Sequence, residues 1–144
     1  VVLSNIAAGQ YLQWNSGDVK WNNTGLSGKA ALATGGGVET LNNLGDGSGT
    51  RAINLASGNV VRARLTGNTT FTFTGATAST ACSFGLYVIQ DGTGNHTVTW
   101  PGSVRWSGGA PTLSTNANAV DILVFETIDG GTTWYGSLVG TNFA

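Results

Sequence analysis

Charge is what this sequence has least of. Lys, Arg, Asp and Glu together make up 9% of its 144 residues, against roughly 25% in an average soluble domain. Six basic residues and a net charge of −1 cannot lay down the cationic stripe with which a nucleic-acid binder displaces counterions, so nucleic acid is not expected as a partner. No apolar run reaches spanning length and no basic cluster flanks one, so membrane insertion is not expected either. The single cysteine, Cys82, rules out an intrachain disulfide and a cysteine-based zinc cluster. Methionine is absent and proline occurs twice. Nothing in this inventory calls for a metal or a cofactor.

What is there in quantity is glycine, 23 residues, together with many Thr, Ser and Asn. The chain is nonetheless not composed like a disordered one, because 40% of it is apolar and five tryptophans need somewhere to pack. Thr, Val and aromatic residues suit a pleated, half-buried surface, and Gly and Asn suit tight turns between strands. The composition therefore predicts an all-β, turn-rich protein.

Two regions differ along the chain. Residues 1–49 read as an extended arm. Gln10–Trp14 and Val19–Trp21 form a small hairpin across a turn at Asn15–Asp18, and a glycine-rich connection follows over 24–49 in which Lys29–Thr34 has room for one helical turn. A hairpin of that size is marginal alone in water, so Tyr11, Leu12, Trp14 and Trp21 are expected to dock on another surface. Residues 50–144 read as a β-sandwich or jelly-roll-like domain. Its candidate strands are Arg51–Leu55, Val60–Leu65, Thr69–Thr74, Ser83–Gln90, Thr97–Trp100, Val120–Ile128 and Thr133–Val139. Thr66–Asn68, Asp91–Asn95 and Asp129–Gly131 are glycine-containing turns expected to close hairpins. Val120–Ile128 is apolar on both faces, as expected of a central strand covered on both sides.

Chemistry is sparse. His96 is the lone histidine and follows a turn, and no G-x-S-x-G nucleophile signature occurs. Asp91 and Asp129 sit in glycine turns, where aspartate usually caps its own backbone. Asp121 and Glu126 lie on one apolar strand at an odd spacing, so they point to opposite faces and do not make the carboxylate pair of a glycosidase. Asp46-Gly-Ser-Gly49 lacks the further acids of a calcium loop and reads as a hinge. Trp100, Trp106, Trp134 and Tyr135 are candidates for stacking on sugar rings, with core or intersubunit packing as the competing role. The chain is not expected to be an enzyme.

Gly9-Gln10-Tyr11-Leu12-Gln13-Trp14-Asn15 followed by Trp21-Asn22 resembles a short repeat of bacteriophage tail fibres. The ordered set Gly67–Phe73, Thr97–Trp106, Ala110–Asp121 and Asp129–Gly136 resembles a β module found near the C-termini of phage virion proteins. The resemblance implies a structural protein located in the virion, of the tail fibre or spike type. It implies a homotrimer, other virion proteins as partners and host-surface glycan as a candidate ligand. A capsid decoration protein or head fibre fits the short chain as an alternative.

Overall fold

The computed structural model describes residues 39–143 in full and the backbone of residues 11–15 and 18–22. The backbone segments form a two-stranded antiparallel hairpin, β1 (Tyr11–Asn15) and β2 (Asp18–Asn22). Leu12 pairs with Trp21 and Trp14 with Val19. The residues expected to dock, Tyr11, Leu12, Trp14 and Trp21, all fall on these two strands. The helical turn expected at Lys29–Thr34 lies outside the described residues.

The second compact unit begins at Val38, and the boundary expected at residues 49 and 50 falls inside its first strand. It is an all-β, sandwich-like domain. Its strands are β3 (Leu41–Asn54), β4 (Val60–Thr74), β5 (Cys82–Gln90), β6 (Val98–Thr99), β7 (Val104–Trp106), β8 (Val120–Thr127) and β9 (Trp134–Phe143). They make one mixed sheet in the order β3-β4-β5-β8-β9-β7, with β6 paired to β4.

The long parallel pair β3–β4 explains how one hydrogen-bonded sheet encloses a core. A straight 14-residue strand would span roughly 45 Å, yet the Asn42 side chain donates to the carbonyl of Asn54 at 3.0 Å. β3 therefore doubles back on itself. It bends between Gly45 and Gly49, both at φ +70°, and there its register with β4 shifts. β4 follows the same path one strand further in and turns at Thr66–Asn68. Gly67 lies so close to Ser48 there that a Cβ would approach it to 2.9 Å. The first half of β4 pairs with β5 and the second half with β6, so the bend carries both strands from one layer to the other. Arg51 holds the bend from inside, donating to the carbonyls of Arg64 at 3.1 Å, Leu44 at 2.8 Å and Gly45 at 2.9 Å.

This geometry corrects two of the expected hairpins. Thr66–Asn68 is a corner within one strand, and Asp91–Asn95 leads from β5 to β6, which do not pair. Asp129–Gly131 does join the antiparallel neighbours β8 and β9. The core is made of side chains alternating inward, among them Val61, Ala63 and Leu65 on β4, Phe84, Leu86 and Val88 on β5, and Leu123 and Phe125 on β8.

Candidate functional site

The aromatic residues form a gradient from core to surface. Trp134 is 2% exposed and meets Phe73 and Phe84 edge-on at 5.5 and 5.4 Å. A ring so enclosed cannot stack on a sugar, so Trp134 leaves the set of candidate glycan contacts and joins the core. Trp100 and Trp106 are half-buried, 5.4 Å apart, and both lean on Phe125. Tyr135 is 49% exposed, because alternation on β9 turns it outward between inward-facing Trp134 and Gly136.

Trp106 and Gly136 are register partners of the parallel pair β7–β9. The indole covers the glycine so closely that a Cβ there would lie 2.6 Å from the ring, so only glycine admits the tryptophan. An open groove of about 360 Å³ runs past this contact, lined by Arg105, Trp106, Ser107, Tyr135 and Ser137. Trp106 and Tyr135 therefore border one groove with a guanidinium and two hydroxyls beside them, the mixture of aromatic faces and polar groups that suits a small polar ligand. Trp100 lines a separate hollow of about 200 Å³ with His96, Pro111 and Leu113.

A polar cluster ties down the loops around that second hollow. Gln90, buried at the end of β5, donates to the carbonyls of His96 and Ser114 at 2.8 and 2.9 Å and accepts from the His96 amide at 3.1 Å. Asp121 accepts from the Ser114 amide, the Ser114 hydroxyl and the Asn142 amide at 2.6, 2.7 and 2.8 Å. The His96 ring lies 2.9 Å from Asp91. Among the described residues no hydroxyl hydrogen-bonds that ring, and Ser114 engages Asp121 instead. The constellation locks loops and lacks the nucleophile-to-base contact of hydrolytic catalysis.

Asp91 caps its own turn, accepting from the Thr93 and Gly94 amides at 2.8 and 3.0 Å. Those amides, foremost Gly94, hold its carboxyl below the usual carboxylate range, with a smaller contribution from His96. Asp129 is lowered in the same way by the Thr133 amide and the Thr127 hydroxyl. A depressed folded-state pKa contributes stability that is present above the unfolded value and lost as pH falls through the folded one. Thermal melting should therefore move down as pH drops below about 4. The doubly substituted Asp91→Asn/Asp129→Asn protein should lose less between pH 6 and pH 3 than the parent does; equal losses would refute this account.

The outer face of the layer built by β3, β4, β5, β8 and β9 is unusual for a surface. Leu41, Val60, Gly85 and Val124 follow one another across it in register. Arg62, Tyr87 and Ile122 form the next row, and Ile89, Val120 and Phe143 the one after. The two-sided cover expected for Val120–Ile128 is met on one side only: Leu123 and Phe125 are fully buried, while Val124 stands exposed.

Compared with models of known protein families, residues 45–132, more than half of the chain, match the family described as "putative phage tail fibre C-terminal domain". The match runs from the bend of β3 through the turn after β8. No curated protein and no solved structure matches the chain.

Proposed function

We propose, from the premise that the chain belongs to the phage tail fibre C-terminal domain family, that it is a self-assembling module of the fibre. Its location is the virion and its role there is structural. Of the two sites on the particle expected from the sequence, tail fibre and capsid decoration, the family supports the fibre. Assembly as a homotrimer, with other virion proteins as further partners, is our reading. The observation that carries self-assembly is the apolar outer face, exposed among the described residues. Tyr11, Leu12, Trp14 and Trp21, on the two strands of the N-terminal hairpin, serve in this reading as its docking residues.

The test is the mass of the purified full chain at micromolar concentration. Sedimentation is expected to give three copies, and a monomer under these conditions would sink the proposal. Trp14→Ser/Trp21→Ser, which leaves residues 39–143 untouched, is expected to reduce incorporation into particles; unaltered incorporation would remove the hairpin from the docking role.

The groove between Trp106 and Tyr135 supports a second reading, recognition of a host-surface glycan. Tyr135→Ala is the informative substitution, because its ring is exposed while Trp106 also supports the core. It should weaken binding to host polysaccharide about tenfold, the loss of roughly 1.4 kcal/mol. Undiminished binding would move the ligand elsewhere.

A further inference from the structure

The outer sheet face has a composition and a charge pattern that specify what covers it. Leu41 is 56% and Phe143 48% exposed, with Tyr87 and Val124 each exposed by more than a third. Together they leave an apolar patch on the order of 400 Å², within the range of the largest patch on a monomer and of a size that is often functional. A hollow of about 370 Å³ lies within the patch, bordered by Leu41, Val60, Arg62, Tyr87, Ile89 and Val120. Beside it Gly85 has no side chain, and a Cβ built there would meet nothing within 4 Å. The surface is therefore dented and apolar, with room for side chains from another surface.

Its charges are arranged asymmetrically. Arg64 is paired with Asp46 at 2.8 Å. Arg62, on the β4 side of the patch, has among the described residues only the neutral Asn43 side chain as a hydrogen-bond partner, at 3.3 Å. Glu126, on the β8 side and exposed, makes no ion pair among the described residues. Register separates the two by two strands laterally and by four residues along the strands, since Arg62 opposes Tyr87, Tyr87 opposes Ile122, and Glu126 lies four residues beyond Ile122. Strand spacings put them on the order of 15 Å apart, too far to pair within one chain.

We infer that this face is where a second copy of the chain docks, head to tail, with the β4 side of one copy against the β8 side of the next. Arg62 then meets Glu126 of the neighbouring copy across an apolar centre, and side chains of the neighbour fill the hollow beside Gly85. This rests on the self-assembly reading and deepens it by naming the surface and its polarity. A cation and a carboxylate that have no ion partner among the described residues flank one apolar patch, and they complement each other between copies. Each contact joins the β4 side of one apolar patch to the β8 side of the next, with Arg62, Asn43 and Glu126 as its polar rim. Repeating the contact head to tail closes a ring when the rotation between copies allows it, as in a three-fold assembly.

The experiment is equilibrium sedimentation of the full-length chain and four variants: Tyr87→Glu, Arg62→Glu, Glu126→Arg and the double exchange Arg62→Glu/Glu126→Arg. Far-UV circular dichroism and thermal melting of each check that the fold is kept. Tyr87→Glu should leave monomers at concentrations where the parent is assembled. Each single reversal should weaken association about tenfold by placing like charges together, and the double exchange should recover most of the loss. Folded variants that all assemble like the parent would overturn the inference while leaving self-assembly intact, as would a double exchange no better than the singles. A monomeric parent would instead defeat the assembly reading on which the inference rests.

Discussion

Trp134→Ala is expected to destabilise the domain by about 3–5 kcal/mol, the range for removing a fully buried indole from a packed core. The ring is fixed by β9, whose neighbours are β8 on one side and β7 on the other. It fills the space between Phe73 and Phe84, and Phe84 in turn lies parallel to Phe125 at 5.0 Å. Removing it leaves a cavity bordered by aromatic rings that cannot collapse without breaking their own edge and stacking contacts. Domains of this size commonly have 5–15 kcal/mol of stability, so the variant should unfold at much lower urea concentration or fail to accumulate folded. Urea titration followed by circular dichroism measures this, and a loss under about 1 kcal/mol would contradict the packing. Tyr135→Ala is the natural control. One position along the same strand, it should change stability little, because its ring stands outside the core.

Asp121→Ala should cost about 3 kcal/mol or more for a different reason. The Asp121 side chain is a carboxylate 2% exposed, between apolar Val120 and Ile122 on its strand. It is tolerated because three donors from two separate segments converge on it: the Ser114 amide and hydroxyl and the Asn142 amide. Alanine would leave those donors without their acceptor, at a cost of about 1–3 kcal/mol for each that stays buried. Hydrogen exchange gives the sharper readout. The amides of Ser114 and Asn142 should lose protection in Asp121→Ala, and unchanged protection at both would show that the carboxylate does not hold them. Asp121→Asn retains one acceptor oxygen and should fall between the parent and alanine.

These two residues also mark how far the sequence could be read. Trp134 and Tyr135 are adjacent and both aromatic, and alternation predicts that one faces in and the other out without saying which. Two-residue periodicity is a local property, whereas the sign of a face depends on which strands lie behind it. Asp121 stood out as a charge in an apolar run, and its separation from Glu126 on the opposite face was legible from spacing alone. The donors that justify its burial lie 7 and 21 residues away, and no local pattern points to them.

The same division runs through the fold. The hairpin of β1 and β2, the central strands β5 and β8 and the turn at Asp129–Gly131 followed from alternation and turn residues, which act over a few positions. The start of β3 did not. Gly45, Gly47 and Gly49 give it the composition of a linker, and only pairing along the whole length of β4 makes it a strand. The turn at Thr66–Asn68 carries the residues of a hairpin yet is a corner, because the segment after it pairs with β3 and β6 rather than returning along β4.

By itself the sequence determined that this protein is all-β, poor in charge and rich in turns, with aromatic residues to cover. Those properties are set by side-chain type and by periodicity along the chain. Tertiary structure alone decided that two strands bend together around Arg51, that Trp134 is core while Tyr135 is surface, and that Val124 stands exposed while Leu123 beside it is buried. Those outcomes depend on which distant strands pair and which layer they reach, and the free energy of such contacts belongs to both partners at once.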